Sequence, residues 1–287
     1  MDAGMRTVWS VFKPRIGFAI MLCALAGLAA TPGASLPAWK VAVLAVAVFL
    51  SSASAGAFNQ VVERELDRLM ARTRKRPFAT GAFTSVRGWY AAILGLLALS
   101  VGAAAWALNE FAALYTFLGA FFYGVVYTVW LKRRTWLNIV IGGLAGSFAV
   151  LAGAAAAGAE LAREPLILAL VLFLWTPPHF WALAMAFRDD YAAAGVPMLP
   201  VVAGDATASW AILAHAVALA LLALVPGFMG LGWIYMLGAA LGGALFVGRC
   251  LALVRAPGRA AALRAFHASL VQLTLLLGAT ILDGSLG

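Results

Sequence analysis

VAVLAVAVFLSSASAGAFNQVVERELDRLMARTRKRP, from Val41 to Pro77, changes character halfway along. Val41 to Gln60 carries no charged side chain, and twenty such residues wound as a helix cross a hydrocarbon core about 30 Å thick. The stretch that follows places Glu63, Glu65 and Asp67 among arginines and Lys75. The first half reads as a transmembrane helix. The second half sets charge against the end of that helix, at a membrane boundary.

The same alternation of apolar runs and charged punctuation extends through all 287 residues, of which 64% are hydrophobic and 11% charged. Spans are expected at about 16–31, 40–60, 87–108, 111–131, 137–158, 166–187, 206–225, 230–252 and 264–282. The runs lack the ten-residue alternation of a membrane barrel, and a helix satisfies its own backbone hydrogen bonds in lipid. The expected fold is an all-α polytopic membrane protein, with nine helices forming one transmembrane domain over residues 1–287. Lys13 and Arg15 precede the first run, which ends in small residues at Ala29 and Ala30 as a signal peptide would; its length and the spans after it favour a retained helix. Cys23 and Cys250 stand alone in apolar runs and read as packing residues.

A net charge of +9 suggests nucleic acid until its distribution is examined. With the N-terminus in the cytoplasm, 18 of the 20 lysines and arginines fall on the cytoplasmic side, leaving Lys40 and Arg163 outside. That is the positive-inside pattern. It predicts an integral membrane protein, surrounded by lipid, with its C-terminus on the far side and no nucleic-acid partner; a bacterial inner membrane is the expected location.

Asn59, Glu63 and Asp67 recur every fourth residue, so a helix continued past the apolar run would carry them on one stripe and Glu65 on another face. Carboxylates beside hydrocarbon need a positive partner. One candidate is Mg²⁺, which takes oxygen ligands and is commonly held by one or two carboxylates together with substrate phosphates. Arg72, Arg74, Lys75 and Arg76 follow at once, and arginine grips phosphate oxygens as a fork. An Mg-diphosphate fits this chemistry; mutual neutralisation of helix-end charges is the plainer alternative.

Two further cytoplasmic stretches bear on the choice. WTPPHFWALAMAFRDDYAAAGVPMLPVV, from Trp175 to Val202, brings His179, Asp189 and Asp190, and YTVWLKRRTWLN, from Tyr127 to Asn138, brings Lys132, Arg133 and Asn138. The stripe with its R-T-x-x-R-P ending resembles the first motif of the UbiA superfamily of intramembrane prenyltransferases. RTRKRP, YTVWLKRRTWLNIVIGG, WTPPHFW and DDYAAAGVPMLPV resemble, within it, the haem O synthases, or protohaem IX farnesyltransferases.

The resemblance implies a UbiA-like bundle with a central cavity opening to the cytoplasm. In it Mg²⁺ holds farnesyl diphosphate, and the farnesyl group passes to the 2-vinyl group of haem B while water adds a hydroxyl. Haem O and diphosphate leave, on the way to haem A and terminal oxidases. By motif, Asn59, Glu63 and Asp67 are metal ligands and catalytic, with Asp189 and Asp190 completing the metal set. Arg72, Arg76, Lys132, Arg133 and Asn138 bind diphosphate or haem propionates, and Lys13 and Arg15 at the mouth of the first span are suited to the same anions. His179 serves as a haem contact or a base. Haem A synthase or oxidase assembly factors are expected partners.

The chain departs from the family pattern in three places. Glu63 stands where aspartate is commoner, Asp189 and Asp190 are adjacent with Ala193 at the spacing of a second aspartate, and Ala149 and Val150 replace a proline pair. An allylic cation needs electron-rich faces, for which Tyr123, Tyr127, Trp175 and Phe180 are candidates, although aromatic residues in membrane spans commonly serve packing. His215 and His267 read as structural, and Asp205 as a helix cap. Two other readings stand beside the first: a prenyltransferase acting on an aromatic quinone precursor, and a transporter of an anionic lipid or metabolite. The second would be expected to show inverted repeats, which the sequence lacks.

Overall fold

The computed structural model describes residues 3–159 and 161–286. Each apolar run is helical, and the glycines, prolines and charged clusters between runs mark the ends. In chain order the helices are α1 (Ala3–Val11), α2 (Pro14–Ala29), α3 (Ala38–Val62), α4 (Arg64–Leu69), α5 (Pro77–Thr80), α6 (Arg87–Ala107) and α7 (Glu110–Phe121), which passes into a π-helical stretch, Phe122–Leu131. They continue with α8 (Asn138–Gly142), α9 (Leu144–Ala156), α10 (Arg163–Ala186), α11 (Arg188–Ala193), α12 (Leu199–Leu222), α13 (Trp233–Arg255) and α14 (Arg259–Leu286). No strand occurs among the described residues.

Eight helical runs among the described residues are long and apolar enough to cross a membrane, and α1 with α2 forms a ninth candidate, bent by 43°. The nine expected spans are therefore recovered with shifted edges. The last begins earlier, at Arg259, because Arg259 and Arg264 are accommodated on helical turns rather than in a loop. The seventh helix starts at Leu199 instead of near 206, but Gly204, with φ 79 and ψ 167, breaks it close to the expected edge.

Neighbouring helices close into a ring, with α14 returning to pack on α2 while α9 also packs on α2. Lipid tails are as apolar as leucine, so close backbone approach through small residues carries much of the association. A Cβ at Gly27 would overlap the Val150 carbonyl, and one at Gly153 the Ala24 carbonyl, which seals α2 to α9. The positions lacking the proline pair, Ala149 and Val150, are buried in an unbroken part of this helix. The exits of α3, the π-helical stretch and α10 meet at one end of the bundle, the charged end, where the acids and bases converge.

Candidate active site

The stripe expected after the third helix is present, although its backbone is jointed. Glu63, with φ −90 and ψ 7, separates α3 from α4. The i to i+4 ladder nevertheless bridges the joint: the Glu63 N–H donates to the Asn59 carbonyl at 2.9 Å and the Asp67 N–H to the Glu63 carbonyl at 2.7 Å. Asn59, Glu63 and Asp67 therefore remain on one face, each buried. Glu65 points outward to Arg64 and Arg68.

Each member of the stripe has a cationic partner. Lys132 Nζ lies 2.5 Å from Glu63 Oε1. One Arg76 guanidinium nitrogen donates to both Asp67 carboxylate oxygens, at 2.8 and 2.9 Å. Lys13 Nζ donates to Asn59 Oδ1 at 2.6 Å and to the Tyr123 hydroxyl at 2.9 Å. The Asn59 amide in turn donates to Thr128 Oγ1 at 2.9 Å. Burying carboxylates this deeply is tolerable only with charge partners and good geometry, which these bonds supply. Lys132 and Arg76 balance Glu63 and Asp67 in charge, and Lys13 adds a further nitrogen donor to the corner.

Local backbone devices put those cations there. Widening to a π-helix re-aims side chains without ending the helix, and here the Lys132 N–H reaches the Tyr127 carbonyl five residues back. Tyr123 and Tyr127 stack at 6.1 Å between centroids, with Lys13 over the first ring at 5.5 Å and Lys132 over the second at 5.6 Å. Gly142 makes room, since a Cβ there would stand 2.9 Å from the Tyr127 ring. Lys13 occupies the break between α1 and α2 with φ 49, the only positive φ of a non-glycine residue among the described ones. Gln60 holds that break by donating from Nε2 to the carbonyls of Ser10 and Val11, at 3.1 and 3.2 Å.

The second acidic patch is only partly as expected. Asp190 reaches the segment that follows the stripe, its Oδ2 accepting from the Arg72 N–H at 3.2 Å, and the Arg72 guanidinium donates to the Tyr191 hydroxyl at 3.4 Å. Asp189 is exposed and touches none of these groups, because adjacent residues on α11 point about 100° apart. Among the described residues no three His, Cys, Asp or Glu side chains are grouped so as to hold a metal ion, so the five expected metal ligands do not form one cage. Asn59, Glu63 and Asp67 are oxygen donors of the kind such an ion takes beside phosphate and water, and in this structure Lys13, Lys132 and Arg76 hold those oxygens.

Three of the expected substrate-binding residues stand apart from the stripe, and the surroundings of His179 are defined. Asn138, 0% exposed, donates to the Thr135 carbonyl at 2.6 Å and so secures the turn that carries Lys132, rather than facing a ligand. Arg133 is exposed and contacts none of the stripe, as is Arg15, which leaves both away from the proposed diphosphate. His179 is buried between Trp175 at 4.2 Å and Phe266 at 4.6 Å, with Phe180 edge-on at 5.0 Å. Its Nδ1 is 2.7 Å from Ser269 Oγ, whose own proton goes to the Phe266 carbonyl. The hydroxyl must then accept, so His179 carries its proton on Nδ1 and a lone pair on Nε2. Trp175 is tied to the Ser269 carbonyl through its indole N–H.

Thr128, Gln60, Tyr191 and Ser269 escaped the sequence reading. Tyr191 follows the acidic pair and Gln60 the stripe's first residue, which were usable hints. Thr128 and Ser269 carry no local signal, since their partners lie 69 and 90 residues away.

The chain is thus a bundle of membrane-length helices that buries paired acids and bases at its charged end. Residues 20–275 match the model of the UbiA prenyltransferase family, and the chain belongs to that family. It is 56% identical over 283 residues to protoheme IX farnesyltransferase 2 of Paramagnetospirillum magneticum, covering 99% of this chain and 98% of the relative. It is 42% identical over 281 residues to protoheme IX farnesyltransferase of Methylibium petroleiphilum, covering 96% and 89%. Among solved structures, a UbiA homolog from Archaeoglobus fulgidus bound to DMAPP and Mg²⁺ shares the fold with a TM-score of 0.69 at 19% identity, covering 93% of this chain and 97% of that one.

Proposed function

We propose that this chain transfers the farnesyl group of farnesyl diphosphate to the 2-vinyl group of haem B, with water adding a hydroxyl to give haem O and diphosphate. The observation that carries the transfer chemistry is the buried Asn59, Glu63 and Asp67 stripe clasped by Lys13, Lys132 and Arg76. The nearly full-length likeness to protoheme farnesyltransferases supports haem as acceptor.

Leaving of diphosphate from an allylic carbon develops negative charge on oxygen, and preorganised cations in a water-poor site stabilise it. Arg76, Lys132 and Lys13 are the groups to do so, with Arg72 reaching from the next turn. Mg²⁺, held by Asn59, Glu63 and Asp67, would supply further neutralisation of the phosphate oxygens. Tyr123 and Tyr127 already present their faces to ammonium groups, and the same faces suit the allylic cation. His179, with its lone pair on Nε2, is assigned to the acceptor side. On this reading the charged end lies on the cytoplasmic side of a bacterial inner membrane, as the positive-inside pattern supports, and haem O passes to a haem A synthase or an oxidase assembly factor.

The test is product analysis. Purified protein with Mg²⁺, farnesyl diphosphate and haem B should yield a hydroxylated, farnesylated porphyrin by mass spectrometry. Prenylation of an aromatic quinone precursor with no change to haem would replace the acceptor while keeping the reaction type.

A further inference from the structure

The opposite face of α10 carries a second set of groups that the transfer chemistry does not use. His179 faces α14, whereas Trp181, two residues on and about 200° round the helix, faces α12. Trp136, Trp181, Val202, Thr207 and His215 line a groove of about 610 Å³, within the roughly 300–1,000 Å³ of sites that hold compact organic ligands. Its walls are apolar apart from a few atoms. Two polar atoms on the lining residues are chemically unsettled.

Trp181 is 1% exposed, yet its indole N–H has no hydrogen-bond partner. A buried donor left alone costs about 1–3 kcal/mol. His215 Nδ1 lies 2.9 Å from the Ala211 carbonyl, which can only accept, so the proton is on Nδ1 and Nε2 keeps its lone pair. That is the tautomer in which imidazole binds metals. The Trp181 ring meets His215 edge-on at 5.1 Å, and Trp136 lies 6.3 Å from Trp181. Arg133 and Arg134, three and two residues before Trp136, are exposed and have no carboxylate partner among the described residues. Asp205, which pairs with Arg188 at 3.5 Å, marks the charged boundary on α12, and His215 is ten residues beyond it, about 15 Å along the helix.

We propose that this groove is a docking site for haem outside the transfer cavity. It would take a planar iron porphyrin edge-on, with the two propionates toward Arg133 and Arg134 and the iron on His215 Nε2. The proposal rests on the reading of haem as acceptor. The ligand class follows from the groove's own chemistry: aromatic walls for a flat ring, a deep lone pair for a Lewis acid, and, on the turn that leads into Trp136, two exposed arginines for two carboxylates. A phospholipid would fill the apolar wall but offers nothing to an unprotonated imidazole nitrogen so far below the headgroups. Docked haem would be held in the membrane beside the enzyme before it reaches the face of His179.

Ferric haem B titrated into detergent-purified protein tests this through the haem absorption band. Wild type should show an imidazole-ligated spectrum that the exposed control His267→Leu retains and His215→Leu loses, with haem affinity about tenfold weaker in the latter. Binding of a non-hydrolysable farnesyl diphosphate analogue should be unaffected by His215→Leu. If His215→Leu does not fold, the exposed pair Arg133→Ser with Arg134→Ser decides, and should weaken haem binding about tenfold and flatten its salt dependence. Spectra and affinities unchanged in these variants overturn the groove, while haem O production by wild type leaves the transferase reading standing. Wild type that neither binds haem nor makes a farnesylated porphyrin overturns both.

Discussion

The exits of α3 and α10 both place acids at the charged end of the bundle, and they treat those acids differently. At the first, Glu63 and Asp67 are each 2% exposed and each is clasped by a cation. At the second, Asp189 is exposed and Asp190 is held by a single backbone N–H from Arg72. Charge buried in a low-dielectric setting acts strongly on whatever is beside it, whereas exposed charge is screened. The first corner is thus the electrostatic centre of the site. The second anchors the strap that carries Arg72.

The largest effect should come from Asp67→Asn, which removes the charge with little change of volume and frees Arg76. Farnesyl transfer is expected to fall by about 10²–10³-fold with membrane insertion intact, measured as turnover at saturating Mg²⁺. Near-normal turnover would remove the first corner from the chemistry. Glu65→Gln, on the outer face, should stay within about threefold, and equal losses in the two variants would point to general helix-end electrostatics instead.

Much of the first corner was legible because charge in an otherwise apolar chain is conspicuous and because every-fourth-residue spacing survives even a jointed helix. The nine spans were legible for the related reason that lipid leaves the backbone few options. The π-helical stretch was not, since Phe122 to Leu131 has the composition of any apolar helix, and widening depends on how α8 and Gly142 pack beside Tyr127. Asn138 was assigned to substrate through the resemblance of its motif; only the turn geometry shows that it serves Lys132. The unequal fates of Asp189 and Asp190 depend on where a six-residue helix points, which spacing alone does not determine.

Glu63 and Lys132 test whether the first corner is held by its pairing. Glu63→Gln strands a buried ammonium, and removing one partner of a buried pair costs about 3–5 kcal/mol. A clear drop in melting temperature in detergent is expected. Adding Lys132→Met should recover most of that stability without recovering transfer. A double variant as unstable as the single one would show that the pair contributes through something other than charge balance.

At the second corner, Asp190→Asn should be milder, because an amide oxygen still accepts from the Arg72 N–H. Turnover is expected to fall by about three- to tenfold, mainly through a higher apparent KM for farnesyl diphosphate as Arg72 loosens. A loss as deep as that of Asp67→Asn would make Asp190 a metal ligand of equal standing and abolish the contrast between the corners.

The smallest effect, and the sharpest test of the contrast, belongs to Asp189→Asn. Its carboxylate is exposed, next in sequence to Asp190 but turned about 100° away on α11, and it meets none of the cations of the site. Exposed charges in salt contribute within about 1 kcal/mol, so turnover and KM should stay within about threefold of wild type. The comparison is made on both variants across a Mg²⁺ titration, since loss of a metal ligand shifts the half-saturating Mg²⁺ concentration while loss of a screened surface charge does not. If Asp189→Asn shifts that concentration as far as Asp190→Asn, α11 must turn when substrate binds and bring both carboxylates inward. The second corner would then be a metal site assembled only in the loaded enzyme, and the difference between the two exits would be one of timing instead of kind.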